Sequence, residues 1–468
     1  MNNFFIDEKV SNKALNAFFR RNSPSGEVHA LHVLDHGRTV VRFAVPPYRI
    51  EDKRESYSLS KSFTSTAIGL LVSEGKLTLD ARIAHIFPDK IPLDPAPQFL
   101  RMTVLNVISM NTGHGRCVMH EMNLADDPVK AFFGIRPEYE PGTHFTYNTG
   151  ASALLACIVE RLTGMRLLDY LNEKLFGPLG IEGVGWMTMK GGQAQGGTGI
   201  QVSCDDIAKL GQLYLNGGVW NGRRILDQKW TEDVHIPVSD TSMIYPSPDW
   251  QEGYGLHFWK NHREGYRGDG AFGQLCVILP EHDMVFAVQG MIGDMQGEME
   301  SVYDLADGLY GADDEKLFIP AYMPVSSPAD DLSLWSEKRT FGLKDNPYGF
   351  RKVEIRPVKS ESVELVFSCE DGDISIKAGN GIWVRNFIRA QKFKPYLPNE
   401  MCTDRKLDCD FSASYRIKPD TAEFVFRFHN CPHTAVWKFS TDDRKLNVDI
   451  GSPDFIDRGC EHIEGEEL

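Results

Sequence analysis

Ser58-Leu59-Ser60-Lys61 places a hydroxyl and an amine three residues apart. On a helix that spacing stacks them one turn apart on the same face, which brings the lysine within reach of the serine. A serine hydroxyl is a poor nucleophile until a neighbouring base takes its proton. Lysine serves as that base only where burial or nearby cations depress its pKa. A helix N-terminus adds a partial positive charge and backbone N–H groups beside Ser58, which suits a developing oxyanion. Ser73-Glu74-Gly75-Lys76 has the same spacing, yet it straddles a helix-ending glycine and carries no chemistry.

Two further segments follow in order. Pro141-Gly142-Thr143-His144-Phe145-Thr146-Tyr147-Asn148-Thr149 sets a tyrosine just ahead of a capped helix, and Gly268-Asp269-Gly270-Ala271-Phe272-Gly273 precedes a hairpin. With the S-x-x-K segment, this ordered trio resembles the serine β-lactamase-like and penicillin-binding hydrolases, in particular the class C-like branch that includes esterases and D-aminopeptidases. Met102-Thr103-Val104, Ser109 to His114 and Gly196-Gly197-Thr198-Gly199-Ile200 extend the likeness, which spans roughly residues 5 to 315.

The resemblance implies an antiparallel sheet flanked by helices (α+β, β-lactamase/transpeptidase-like) and an acyl-enzyme mechanism without metal or organic cofactor. By position, Ser58, Lys61 and Tyr147 are the catalytic group, and the N–H groups of Ser58 and Ala271 form the oxyanion hole. Thr149, Gly268, Asp269, Gly270 and His114 fall to substrate binding. Family members carry Lys or His where this chain has Gly268, and that cation receives a substrate carboxylate. Its loss favours carboxylate-free esters and amides over penicillins, so β-lactamase activity is expected to be weak or absent. A Gly268→Lys change should restore the cation. Arg267, one residue away, is expected on the opposite strand face. The alternative reading is a catalytically retired chain that uses the pocket for ligand binding or sensing.

The elements that must position these groups are legible in the hydrophobic period. Residues 29–43 read as a hairpin turning at Asp35-His36-Gly37. Ser58 to Glu74 reads as a helix with Ser56 as its cap and Gly75 as its stop. Helices are predicted over 150–163, over 167–176 ending at Gly177-Pro178, and over 203–216 from a Ser203 cap. Residues 274–279 and 284–289 form a hairpin across Pro280-Glu281-His282-Asp283. Near residues 322–331 the chain turns polar and proline-punctuated. Beyond it, Val363 to Phe367, Ile374 to Lys377 and Phe424 to Phe428 alternate with period two. The chain therefore divides into a hydrolase-like domain, 1–322, and an all-β barrel or sandwich, 332–468. Trp383, Trp437 and the Phe424, Phe426 and Phe428 stripe are assigned to the core of the second domain.

Composition bounds the rest. The 468 residues are 42% hydrophobic and 25% charged, with 50 basic against 65 acidic residues and a net charge of -15. Such a chain repels phosphate backbones and anionic headgroups, which argues against nucleic-acid and membrane partners, while the resemblance implies a small-molecule or short-peptide substrate. No secretory signal and no membrane-spanning run is evident. Nine cysteines, none in C-x-x-C spacing, read as reduced thiols of a cytoplasmic protein. His29, His32 and His36 resemble a metal cluster by count, but strand alternation sends His29 and His32 to opposite faces.

Overall fold

The computed structural model describes residues 4–326, 337–357, 362–370, 372–391, 407–418, 421–442, 444–451 and 461–468. Cys402, Cys460 and part of the 322–331 boundary lie outside them; the seven described cysteines are all free thiols. The chain divides into two compact units, Met1–Ala44 with Ile50–Ile319 and Val45–Arg49 with Pro320–Leu468.

The first unit is built on a seven-stranded antiparallel sheet. Its strands are β1 (Phe4–Ile6), β2 (Gly26–Asp35), β3 (Arg38–Ala44), β4 (Trp259–Lys260), β5 (Tyr266–Gly270), β6 (Gln274–Leu279) and β7 (Met284–Ile292), in the spatial order β1-β3-β2-β7-β6-β5-β4. The two-residue turn between β2 and β3 has His36 at φ 47° and Gly37 at φ 73°, the left-handed pair such a tight hairpin demands. Both faces of the sheet are covered. On one, α1 (Asn12–Asn22) sets Phe19 against Phe43, ring centroids 5.4 Å apart. On the other, α4 (Cys204–Leu215) presents Asp205 to Arg42, the neighbour of Phe43 that alternation turns the opposite way.

The helix ends follow their caps. Ser203 and Asp206 form a reciprocal capping box at the start of α4. Helix α3 (Thr149–Thr163) starts at an Asn148 cap and stops at Gly164, φ 72°. The expected stop at Gly177-Pro178 is passed. Leu167–Leu171 runs on through a π-turn, Asn172–Phe176, and one further turn to Gly180, φ 60°. Pro178 stands in that last turn, just after the π-turn, whose wider path accommodates a residue without an N–H.

The second unit is a ten-stranded antiparallel sheet from Arg339–Leu343 to Glu461–Glu467, bent round so that Gly379 bridges to Ser414. Trp437, Phe424, Phe426 and Phe428 point inward and are at most 1% exposed. Trp383 departs from the expectation. It is only partly buried, outside the barrel core, with its indole N–H donating to the Tyr322 carbonyl at 3.1 Å. No helix among the described residues is long and apolar enough to cross a membrane.

Candidate active site

Residues Tyr57–Leu59 form a single 3-10 turn that runs directly into α2 (Ser60–Ser73). Ser56 does not cap this helix; its hydroxyl donates to the Arg54 carbonyl at 3.1 Å, and Ser60 Oγ instead donates to the Tyr57 carbonyl at 2.6 Å. Tyr57 has φ 44°, so the chain enters Ser58 through a left-handed residue. Every residue of α2 from Ser60 to Leu71 is buried, whereas Ser58, in the turn before it, is half-buried.

Lys61 is 1% exposed. Its Nζ lies 3.1 Å from Ser58 Oγ, 3.3 Å from Thr149 Oγ1 and 2.7 Å from the Gly197 carbonyl. Burial pushes its pKa down to about 7, against the opposing pull of Cys117 and Asp269. As an ammonium the group donates to all three oxygens; on losing a proton it can keep the bonds to Gly197 and Thr149 and turn its lone pair to the Ser58 hydroxyl. Near neutral pH this lysine has the character of a base.

Tyr147 precedes α3 and stacks on Trp259, centroids 5.9 Å apart at 20°, while Lys61 Nζ lies 4.7 Å over its ring. Asn148 holds the segment by accepting from the N–H groups of Gly150 and Val118, both at 3.0 Å. Burial and then the charge of Asp269 raise the phenol above its usual range, with its hydrogen bond toward Ser58 working the other way. Tyr147 is therefore a neutral phenol, fit to donate a proton rather than to act as a standing base.

Strand β5 closes the site. A Cβ at Gly270 would sit 2.2 Å from the Ser56 carbonyl oxygen and 3.1 Å from Leu59 N. Only glycine lets the strand lie against the nucleophile turn, which brings exposed Ala271, at the start of the next turn, toward Ser58. Gly268 faces the same way, and this corrects the expectation that a cation could be restored there. A Cβ at that position would lie 2.2 Å from Ser62 Oγ and 2.8 Å from Leu59 Cδ1, so the position points into α2 rather than toward substrate. Arg267 and Asp269 share the opposite face, joined by an Nε–Oδ2 contact of 3.2 Å.

His114 is placed elsewhere than expected. Its Nδ1 pairs with Thr112 Oγ1 at 3.0 Å and its Nε2 with the Ile135 carbonyl at 2.8 Å, and its ring packs 4.9 Å from that of Phe132. It is 1% exposed, a core histidine with both nitrogens engaged. The residue sequence reasoning missed is His257, fully buried, with Nε2 2.8 Å from Ser152 Oγ and Nδ1 on the Ile108 carbonyl at 2.5 Å. Burial and the Lys61 charge push its pKa down to about 3, so it stays neutral. Ser152 in turn packs on Gly197, where an added Cβ would meet its side chain at 2.8 Å. His257 thereby backs the loop whose carbonyl holds Lys61. No spacing in the sequence links residue 257 to residue 61.

Fold and site together define an α+β protein with a lysine-paired serine at the mouth of a buried helix. The Beta-lactamase family model matches residues 27–296, more than half of the chain, and the chain belongs to that family. It is 26% identical over 255 residues to the 6-aminohexanoate-dimer hydrolase of Paenarthrobacter ureafaciens, covering 50% of this chain and 65% of that protein. It is 25% identical over 196 residues to the D-aminopeptidase of Brucella anthropi, covering 37% of this chain and 36% of that one. The alignments thus span less than two thirds of these relatives, whose names describe hydrolases. Among solved structures, a class C beta lactamase from Rhodobacter sphaeroides superposes with a TM-score of 0.51 at 17% identity, over 64% of this chain and 99% of its own, a likeness of fold.

Proposed function

We propose that this chain is a serine hydrolase that cleaves ester, amide or peptide bonds of small substrates through an acyl-enzyme. The observation that carries the reading is the 3.1 Å approach of Lys61 Nζ to Ser58 Oγ in a setting that lowers the amine's pKa to about 7. The neutral amine takes the Ser58 proton as Oγ attacks the carbonyl. The tetrahedral oxyanion is received by the N–H groups of Ser58 and Ala271. Lys61 and the neutral phenol of Tyr147 then return a proton to the leaving group. Water, deprotonated by the same amine, releases the acyl group. A base of this kind contributes about 10²–10⁴ in rate, and a single oxyanion-hole donor about 10²–10³.

The preference for carboxylate-free substrates is also proposed, now on firmer physical ground than a missing cation. Asp269 adds a negative charge beside the site, which opposes a second carboxylate, and Arg267 is fully buried, held by Asp269, the Asp249 carbonyl and Asn261 Oδ1. Relatives named for amide and peptide hydrolysis fit the same bond class.

A fluorophosphonate probe tests the reading. The wild type should be labelled and Ser58→Ala should not. A folded wild type that resists every serine-directed acylating probe would instead favour a retired, ligand-binding chain.

A further inference from the structure

His257 stands at φ 64°, a left-handed conformation that a residue with a bulky side chain keeps only where its surroundings impose it. Three segments impose it here. Ser62 Oγ of α2 donates to its carbonyl at 3.2 Å. Its Nδ1 meets the carbonyl of Ile108, the last residue of the short helix Val104–Ile108, at 2.5 Å, and its Nε2 meets Ser152 Oγ of α3 at 2.8 Å. A carbonyl only accepts, so Nδ1 carries the ring proton and Nε2 accepts from the Ser152 hydroxyl.

Ser152 is fully buried and turns the same side chain toward the glycine loop. A Cβ added at Gly197 would lie 2.8 Å from Ser152 Cβ and 3.0 Å from its Oγ, and one at Gly196 would lie 2.4 Å from the Ser152 carbonyl oxygen. On the other side of the loop, Thr64 Oγ1 donates to the Gly196 carbonyl at 2.6 Å and Lys61 Nζ to the Gly197 carbonyl at 2.7 Å. The two glycines are therefore clamped between α2 and α3, and the His257–Ser152 hydrogen bond fixes the α3 side of the clamp.

The clamp matters because Lys61 is a base only while it is dry. Burial is the largest influence on the amine and disfavours its charge, while Cys117 and Asp269 work the other way. Tyr147, under Nζ, and Tyr254, beside the His257 ring, are buried neutral phenols. His257 is neutral as well, so it adds no charge of its own. A loop free to swing off α3 would take the Gly197 carbonyl from Nζ and let water in behind it. Loss of the carbonyl favours the neutral amine, and hydration favours the ammonium. Since burial outweighs the other influences on Lys61, hydration prevails and the amine returns toward its ordinary range.

Resting on the hydrolase reading above, we propose that His257 is a positioning residue: through Ser152 it locks the Gly196–Gly197 turn against Lys61 and keeps water from the base. It touches neither substrate nor the reacting atoms.

The test is the acid limb of kcat/KM on phenyl acetate and of fluorophosphonate labelling, whose midpoint is expected near 7 in the wild type. Asparagine tolerates the left-handed conformation but is too short to reach Ser152, so His257→Asn cuts the link from one end. Ser152→Ala cuts it from the other. Each should move the midpoint up by about one pH unit or more, a change that loss of stability alone does not produce. The double variant should move it no further than His257→Asn, because both act through one hydrogen bond. A midpoint that stays in place in the folded variants, or movements that add in the double variant, would overturn the proposal and leave the hydrolase intact. Should His257→Asn fail to fold, Ser152→Ala, which removes a single oxygen, decides alone. If the wild type neither hydrolyses phenyl acetate nor takes the probe, the hydrolase reading fails by itself. The Lys61 amine is then titrated directly by NMR in protein labelled with carbon-13 at lysine Cε, its signal assigned by its absence from Lys61→Ala. The same upward movement in Ser152→Ala supports the role of His257, and an unmoved midpoint ends it.

Discussion

The rings of Tyr57 and Phe272 meet edge to face, centroids 5.3 Å apart at 68°. One residue precedes Ser58 and the other follows Ala271, so the contact ties together the two segments proposed to supply the oxyanion-hole N–H groups. Both residues have positive φ, 44° and 64°, a region costing about 1–3 kcal/mol for a side chain of this size. An aromatic pair contributes ~0.5–1.5 kcal/mol beyond its buried area, which offsets part of that strain. Phe272→Ala keeps the strained backbone and loses the ring. It should lower kcat on an activated ester by about tenfold with little change in KM, because misplaced donors weaken only transition-state binding. Phe272→Tyr should retain activity. An unchanged kcat in the alanine variant would assign the ring pair to stability alone.

The lowered pKa of Lys61 fixes the sign of the pH dependence. The amine acts as a base when neutral, so kcat/KM on a substrate without titratable groups should rise with pH through a midpoint near 7. The same limb should appear in the rate of fluorophosphonate labelling. Lys61→Ala should lose about 10²–10⁴ in rate together with that limb. A limb that persists in Lys61→Ala would mean another group titrates there.

Tyr147 is raised by burial and by Asp269, so it enters the reaction protonated. Tyr147→Phe removes the hydroxyl but keeps the stack on Trp259, which isolates the proton relay from packing. Turnover should fall by ~100-fold, the low end for loss of an acid–base group, with the melting temperature nearly unchanged. Near-wild-type turnover would leave Lys61 to carry every proton alone.

Much of this was legible because each local signal agreed with its neighbours. Ser58 and Lys61 are joined by helix periodicity, and Ser203 and Gly75 announce helix ends by chemistry that operates within four residues. The period-two stripe of Phe424, Phe426 and Phe428 gave the inward face of a strand. What failed required knowing what lies across the fold. Gly268 looked like a lost cation site, yet its free direction is occupied by Ser62 and Leu59 from a helix some two hundred residues earlier. His114 lay beside a family-like loop, and only its packing on Phe99 and Phe132 shows that it turns into the core. His257 carries no local signal because its partners, Ile108 and Ser152, are more than a hundred residues away.

Glu298 projects from α5 (Met295–Asp307) beneath the turn that follows the Ala271 N–H; an added Cβ at Gly273 would lie 2.8 Å from its carboxyl oxygens. The side chain is fully buried, and neither oxygen has a hydrogen-bond partner among the described residues. Burial raises its pKa well above the ordinary value of 4.5; Asp269 and Asp294 add to the rise and Arg267 opposes it. In the folded protein the group is thus held protonated, whereas in the unfolded chain it ionises above about pH 4.5. The unfolded state therefore binds fewer protons over that interval, and stability falls as pH increases toward the folded pKa. Glu298→Gln keeps the shape and cannot ionise. Near pH 4 the variant and the wild type should melt at similar temperatures, and by about pH 8 the variant should melt at the higher temperature. Differential scanning calorimetry across that range checks it. A gap that stays constant, or a variant that is less stable at every pH, would mean Glu298 is ionised in the fold and held by a counter-charge.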